Sequence, residues 1–166
     1  LRRLNPSNRP EAITPAVQHV FYPGDTRFPI AAWPNVSREW RAVTRLSTRS
    51  GQDSGPLFVM GMRFTGYGLV LERGVPVFTY EPTGRAEERM VVRAPGRLTA
   101  GAHAIEVRFV PQGEGVRLSL SVDDREVAAV SRERFNRVFA GNALIGRAAI
   151  DDRSGPRQCE CSIKDV

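Results

Sequence analysis

The segment Leu57–Tyr80 constrains the fold more than any other part of the sequence. It contains apolar runs rich in β-branched and aromatic residues, with a turn at Glu72-Arg73-Gly74. Runs of this composition, bounded by glycine and proline, are typical of strands, and a tip that ends in glycine suits a hairpin whose last loop residue has positive φ. Gly66-Tyr67-Gly68 offers a bend ahead of this hairpin, so Leu57–Phe64 is expected to form a third consecutive strand.

Short strand patterns recur through the rest of the chain. Trp40–Thr48, Ala102–Val110 and Val116–Val122 alternate between apolar and polar residues, as half-buried strands do. Fifteen glycines and twelve prolines punctuate these runs. We therefore expect an all-β fold, a two-sheet antiparallel β-sandwich of the jelly-roll type with about ten to twelve strands. The shorter expected elements are strands over Arg89–Ala94, Glu126–Val130, Ala143–Ile150 and Cys159–Val166, and a helical turn within Arg132–Phe139.

The length of 166 residues predicts one domain. Residues 1–20 are rich in proline and asparagine and are expected to be a linker, whereas residues 21–166 are expected to form the sandwich. No apolar run has the length of a membrane span, and the N-terminal residues lack the apolar core of a signal peptide. We expect a soluble piece of a longer chain, with no membrane partner and an undetermined compartment.

The formal net charge of +6 raises the question of a nucleic-acid partner. Lys164 is the only lysine, and the arginines are scattered over the chain among glutamate and aspartate. No helix concentrates them and no aromatic-basic RNA-binding motif occurs. The charge pattern therefore does not predict nucleic-acid binding.

The two cysteines, Cys159 and Cys161, lie in the last expected strand. Residues i and i+2 of an extended strand have Cα atoms about 6.5–7 Å apart, at the limit of disulfide geometry. We therefore expect no bond between them, and a role as small hydrophobes facing the core. Two such ligands alone do not make a zinc site.

Acidic and imidazole side chains give few catalytic signals. Asp123-Asp124 is explained by a hairpin tip. Adjacent residues of a strand face opposite ways, so a dipeptide such as Glu87-Glu88 is not a catalytic pair by itself. Asp151 and Asp152 are candidate loop ligands for Ca²⁺, although solvated loop acids are common. His103 is expected to be a surface or packed imidazole and not a base. We assign no catalytic residue.

A series of short motifs runs from residue 21 to residue 166. In order they are Phe21-Tyr22-Pro23-Gly24, Pro34-Asn35-Val36-Ser37, the run from Gly66 to Gly74, Phe78-Thr79-Tyr80, the run from Leu98 to His103, the run from Leu118 to Asp124, Ile145-Gly146 and Ile163-Lys164-Asp165-Val166. The series resembles the C-terminal accessory domain of bacterial arylsulfatases. That family has a Tyr-Pro-Gly start, a Gly-Gly-Tyr strand pair, a Leu-x-x-Gly-x-His strand and a final Gly-x-Ile-x-x-Val strand.

The resemblance implies a concanavalin A/laminin-G-like jelly roll behind a sulfatase catalytic domain of the same polypeptide. The parent family are hydrolases of sulfate esters that use a formylglycine, made from the Cys or Ser of C/S-x-P-x-R, and usually Ca²⁺. The nearest strings here, Arg93–Arg97 and Ser154–Gln158, do not match that motif. Cys159, Cys161 and Thr65 also depart from the family, which tends to have Phe, Gly and Gly at these positions.

The resemblance therefore implies a non-catalytic accessory domain without a cofactor of its own. It would pack on the catalytic domain and shape substrate access or support homo-oligomerisation. The alternative is a stand-alone laminin-G or lectin-like glycan-binding module, with Trp33, Trp40 and Tyr67 on one binding face. A jelly-roll glycosidase is disfavoured because no strand carries acidic residues in alternation.

Overall fold

The protein is a sandwich of two antiparallel sheets. The computed structural model describes residues 20–23, 36–62, 65–136, 142–145 and 159–166. Within these ranges the strands are β1 (Trp40–Thr48), β2 (Gly55–Met62), β3 (Thr65–Glu72), β4 (Val75–Glu81), β5 (Met90–Arg93), β6 (Gly101–Gln112), β7 (Gly115–Val122), β8 (Arg125–Arg132), β9 (Asn142–Ile145) and β10 (Ser162–Asp165). The first sheet has the order β10-β1-β6-β7-β8, and the second sheet has the order β5-β4-β3-β2-β9. The expected all-β, two-sheet architecture is confirmed.

The core lies between the two sheets and is built by period-two alternation along the strands. In β1, Trp40, Thr44, Leu46 and Thr48 are buried, and Arg41 and Arg45 point outward into solvent. Burial of apolar side chains such as Trp40 and Leu46 is the main favourable term for folding. The largest side chains that are almost fully buried are Tyr80, Phe58, Phe78, Phe109, Leu46, Leu57, Leu69, Leu71, Ile105, Leu118 and Leu120.

The three consecutive strands expected around Leu57–Tyr80 are present as β2, β3 and β4. The β3–β4 tip is the two-residue turn Arg73–Gly74, with φ angles of 49° and 78°. Positive φ at both positions is the geometry of a type I′ hairpin, so the loop is one residue shorter than expected. The bend expected at Gly66-Tyr67-Gly68 is wrong, because these residues lie inside β3. Gly66 pairs there with Gly61 of β2, where the backbones approach too closely for a Cβ atom.

Most of the other strand predictions are confirmed with small changes at their ends. β1 has the predicted bounds, and β5 to β8 match four predicted strands within a few residues. The helical turn expected within Arg132–Phe139 is wrong where it is described, because β8 continues to Arg132 and residues 133–136 are not helical. Residues 137–139, the predicted linker up to residue 19, and the predicted strand beyond residue 145 lie outside the described residues.

Helical structure in the described ranges is confined to one 3₁₀ turn at Ala86–Glu88. This part of the chain therefore contains no helix that is long and apolar enough to cross a bilayer.

The expectation of two unbonded cysteines is wrong. Cys159 and Cys161 form a disulfide, and their Cα atoms lie 5.2 Å apart. The expected distance assumed that the strand begins at Cys159, but β10 begins only at Ser162 and the preceding residues bend. The bend brings the Cα atoms well within the range that a disulfide spans. Both side chains are half-buried and pack against the core.

Candidate functional site

A shallow depression of about 230 Å³ lies on the first sheet, where strands β1, β6 and β10 meet the β7–β8 turn. Each element contributes a polar side chain to it. The lining residues are Arg45, Leu46, Ala102, His103, Ala104, Asp123 and Lys164. Register explains the convergence, because Arg45 pairs with Ala104 on one side and with Asp165 on the other.

The imidazole of His103 is held between two acceptors. Its Nδ1 lies 2.8 Å from Oδ2 of Asp123, and its Nε2 lies 2.9 Å from the carbonyl oxygen of Thr99. The hydroxyl oxygen of Thr99 also lies 3.5 Å from Nε2. A ring whose two nitrogens are both engaged has no free position for taking a proton from a substrate. The geometry therefore fixes the orientation of the ring and leaves it unsuited to act as a general base.

The carboxylate of Asp123 is tied to β6. Its Oδ1 accepts the backbone N–H of Ala104 at 2.9 Å, and the Asp123 N–H donates to the Ala104 carbonyl at 2.8 Å. Burial raises the pKa of Asp123, but the bonds from the Ala104 N–H and from His103 outweigh burial and hold that pKa below its usual value. Asp123 and Asp124 have φ angles of 50° and 65°, as a two-residue type I′ turn requires.

Two further cations border the depression. Arg45 Nη1 lies 2.8 Å from Oδ1 of Asp165, and its side chain is still 59% exposed. Lys164 forms no ion pair with any residue in the described ranges. Arg45 and Lys164 thus lie beside the His103 ring and the carboxylates of Asp123 and Asp165. The exposed guanidinium of Arg45 and the ammonium of Lys164 favour an anionic ligand.

Elsewhere on the outer surface of the first sheet, three arginines lie beside carboxylates. Arg117 Nη2 lies 2.7 Å from Oε1 of Glu126, and Arg41 Nη1 lies 3.7 Å from Oε2 of Glu106. Arg108 likewise bonds Glu39. Exposed pairs of this kind contribute little to stability, but they balance charge locally. The net charge therefore does not form one continuous basic patch on this sheet.

The structure places two of the predicted binding residues in the interior. Trp40 is 9% exposed and Tyr67 is 3% exposed, and their rings stack with centroids 5.4 Å apart. Trp40 also stacks on Phe109 at 5.3 Å. Neither aromatic ring lies on an exposed face, which corrects the expected arrangement for both. Trp33 lies outside the described residues.

Metal ligands are not grouped in the described part of the chain. No cluster of three or more His, Cys, Asp or Glu side chains that could hold an ion occurs there. Asp151 and Asp152, the predicted Ca²⁺ candidates, lie outside the described residues, so their role stays a prediction. The nearby Glu160 accepts the N–H of Ser54 through its carboxylate at 2.8 Å.

Comparison with known proteins establishes the fold. No protein-family model and no curated protein matches the sequence. Among solved structures, the chain is similar to domains LG4-5 of the mouse laminin alpha1 chain, with 17% identity, a TM-score of 0.61 and coverage of 84% of this chain and 37% of that chain. It is also similar to the LG1-3 region of the laminin alpha2 chain, with 15% identity, a TM-score of 0.50 and coverage of 88% and 30%. An endo-1,3-beta-glucanase from Streptomyces sioyaensis matches with 13% identity, a TM-score of 0.48 and coverage of 86% and 66%.

The chain therefore spans about a third of the length of these laminin structures. At such identities the similarity shows the fold alone. Laminin G domains are jelly-roll sandwiches, so the concanavalin-like, laminin-G-like fold class is confirmed. The sulfatase parentage stays a prediction.

Sequence reasoning did not identify the depression as a site. Its four polar side chains come from positions 45, 103, 123 and 164, and only strand pairing brings them together. Two of its parts carry local signals, because the sequence predicts a strand at His103 and a hairpin tip at Asp123. Predicting the site would have required knowledge of how β6 pairs with β7. In that pairing Ile105 lies opposite Val122, beside the turn that carries Asp123.

Proposed function

We propose that the chain is a non-catalytic, lectin-like module that binds an acidic saccharide, carrying carboxylate or sulfate groups, at the depression. The observation that carries this proposal is the convergence of Arg45, His103 and Lys164 at one place on the sheet. Guanidinium and ammonium groups bind carboxylate and sulfate oxygens through charge-assisted hydrogen bonds. The carboxylate of Asp123, whose side chain is 52% exposed, offers further acceptor positions to the hydroxyl groups of a sugar ring.

Titration calorimetry with a sulfated oligosaccharide and with a neutral oligosaccharide of the same length tests this proposal. We expect binding of the sulfated ligand only. The variants Arg45→Gln and Lys164→Gln should each weaken that binding about tenfold, because each removes one charge-assisted contact. Arg134→Gln is the matched control, since it removes the same charge from a side chain that is 87% exposed and pairs with Glu114 elsewhere. Equal losses in all three variants, or equal binding of the neutral ligand, would contradict a defined site.

We propose as a second candidate that the module is the accessory domain of an arylsulfatase-like sulfuric ester hydrolase. The ordered motif series from residue 21 to residue 166 favours it. In that setting the catalytic domain of the same polypeptide is the partner, and the formylglycine and Ca²⁺ belong to that domain. The sandwich would shape substrate access or support a homo-oligomer.

Two measurements test the second candidate. The chain alone should not hydrolyse nitrophenyl sulfate, because it lacks the C/S-x-P-x-R motif. The coding sequence upstream of Leu1 should encode that motif some hundreds of residues earlier. Turnover by the chain alone, or an upstream sequence without the motif, would contradict this candidate.

A further inference from the structure

The disulfide between Cys159 and Cys161 encloses a single residue, Glu160, immediately before strand β10. Both cysteines are only half-buried, and they pack against the edge of the core. A disulfide that closes so short a loop removes little conformational freedom from the unfolded chain. Its contribution to global stability through chain entropy is therefore small, and its role must lie in the local geometry that it fixes.

In the turn closed by the disulfide, Glu160 forms two hydrogen bonds with Ser54. The Glu160 N–H donates to the Ser54 carbonyl at 3.0 Å, and the Glu160 carboxylate accepts the Ser54 N–H at 2.8 Å. The hydroxyl oxygen of Ser54 in turn accepts the N–H of Arg73 at 3.0 Å, in the turn between β3 and β4. Ser54 precedes β2 of the second sheet, whereas β10 belongs to the first sheet. The turn closed by the disulfide thus links one sheet to the other.

Strand β10 is held at one end by this turn and at the other by reciprocal backbone hydrogen bonds between Phe21 and Val166, at 2.9 and 3.0 Å. It is a four-residue edge strand with three register pairs to β1, interrupted by a bulge between Arg45 and Leu46. A short edge strand forms few backbone hydrogen bonds to its neighbouring strand, so these bonds alone hold it weakly. β10 supplies Lys164, which lines the depression, and Asp165, which orients Arg45. The state of the disulfide therefore bears directly on the geometry of the candidate site.

We propose that Cys159–Cys161 is a thiol-exchange site, at which an external dithiol reductant releases β10 and weakens ligand binding at the depression. A thiolate of the reductant attacks one cysteine sulfur, and the sulfur–sulfur bond between Cys159 and Cys161 breaks. A mixed disulfide forms between the reductant and the attacked cysteine, and the other cysteine leaves as a thiolate. The second thiol of the reductant then displaces the bound cysteine. Two electrons and two protons pass to the cysteines, which become two thiols, and the reductant leaves as a cyclic disulfide. Reoxidation is favoured because the thiols stay one residue apart.

Hydrogen exchange of the full chain tests the release of β10 independently of any ligand. The chain is incubated with dithiothreitol without denaturant, and the thiols formed are counted by alkylation and mass spectrometry. We expect both cysteines to be alkylated while the protein stays folded. The amides of Ser54 and β10 should then exchange at least about tenfold faster, whereas those of β3 and β6 should not change.

Two variants separate reduction from nonspecific loosening. The double variant Cys159→Ser/Cys161→Ser should exchange like the reduced chain and should not respond to dithiothreitol. Glu160→Gln keeps the disulfide but removes the charge on the Ser54 contact, so only the Ser54 amide should exchange faster. A disulfide that resists dithiothreitol in the folded protein, or reduction that leaves β10 exchange unchanged, would overturn the proposal.

The effect on binding rests on the proposed function and is measured separately. Titration of the oxidised and reduced chains with the sulfated oligosaccharide should show about a tenfold loss of affinity on reduction. If neither form binds while the exchange result holds, the saccharide proposal fails and the release of β10 stands. If both forms bind equally although β10 is released, the coupling to the site is overturned.

Discussion

Individual aromatic residues in this chain serve packing, although their spacing along the sequence also suits a binding face. Trp40 lies between Tyr67 and Phe109, with centroid distances of 5.4 Å and 5.3 Å. Tyr67 continues the stack toward Tyr80 at 6.2 Å. Stacked and tilted pairs of this kind add to the burial of large apolar surfaces. The aromatic cluster therefore joins β1 and β6 of the first sheet to β3 and β4 of the second.

Replacing Tyr67 with alanine should lower the free energy of unfolding by about 3–5 kcal/mol, because it leaves a cavity among these rings. Tyr22→Ala is the matched control, since that side chain is 58% exposed. The control should change stability by about 0.5 kcal/mol or less. Urea unfolding followed by fluorescence measures both. A Tyr67→Ala variant as stable as Tyr22→Ala would contradict the interior position.

Asp123 gives the fold a defined response to acid. Its pKa lies below the usual value in the folded state, because the bonds from Ala104 and His103 outweigh burial. A carboxyl with a lowered folded pKa contributes stability that is complete above its unfolded pKa of about 3.9 and is lost as the pH falls through its folded pKa. Asn at this position keeps the shape and tolerates positive φ, but it does not titrate.

The unfolding free energy of the wild type should therefore fall more steeply than that of Asp123→Asn between about pH 5 and pH 2. At neutral pH the variant should be less stable by about 0.5–1.5 kcal/mol, the usual cost of one lost hydrogen bond. Urea titrations at a series of pH values measure the difference. Parallel pH curves for the two proteins would show that the Asp123 carboxylate does not contribute in this way.

At the scale of elements, hairpin turns fix the register and also join the loops at one end of the sandwich. The N–H of Gly74 donates to the carbonyl of Asp53, and the N–H of Leu98 donates to the carbonyl of Gly74, each at 2.8 Å. A Cβ atom on Gly74 would lie 1.9 Å from the carbonyl oxygen of Gly51. The turn therefore accepts only glycine at this position, for reasons of both conformation and space.

Gly74→Ala should destabilise the fold by about 2–4 kcal/mol, through its φ of 78° and through the contact with the Gly51 backbone. Gly96→Ala is the matched control, because a Cβ atom there meets nothing within 4 Å. That control should change stability by about 0.5 kcal/mol or less. Thermal unfolding of the two variants distinguishes them, and equal melting temperatures would contradict the packing described at the tip.

At the scale of the whole molecule, local patterns predicted the strands but not what they bring together. The alternation of apolar and polar residues predicts the bounds of β1 correctly, because neighbouring residues of a strand point to opposite faces and only one face is buried. The Cys159–Cys161 bond was missed because nothing in the sequence marks Ser162 as the first residue of β10. The depression was missed because its side chains meet only through the pairing of β1 with β6 and β10.

The fold also explains why an overall charge of +6 does not predict the ligand. Ion pairs on the first sheet balance many of the arginines, such as Arg41 with Glu106 and Arg117 with Glu126. The cations proposed to bind the ligand are local, at Lys164 and the neighbouring Arg45. A ligand that needs a fixed arrangement of cations should therefore depend on these positions and not on the net charge.

The most direct test of this account is the mapping of amide chemical shifts during addition of a sulfated oligosaccharide. The account predicts that the largest shifts occur at Arg45, His103, Asp123 and Lys164, and that they are absent with a neutral oligosaccharide. Shifts centred on the outer surface of the second sheet, or equal shifts with both ligands, would contradict it.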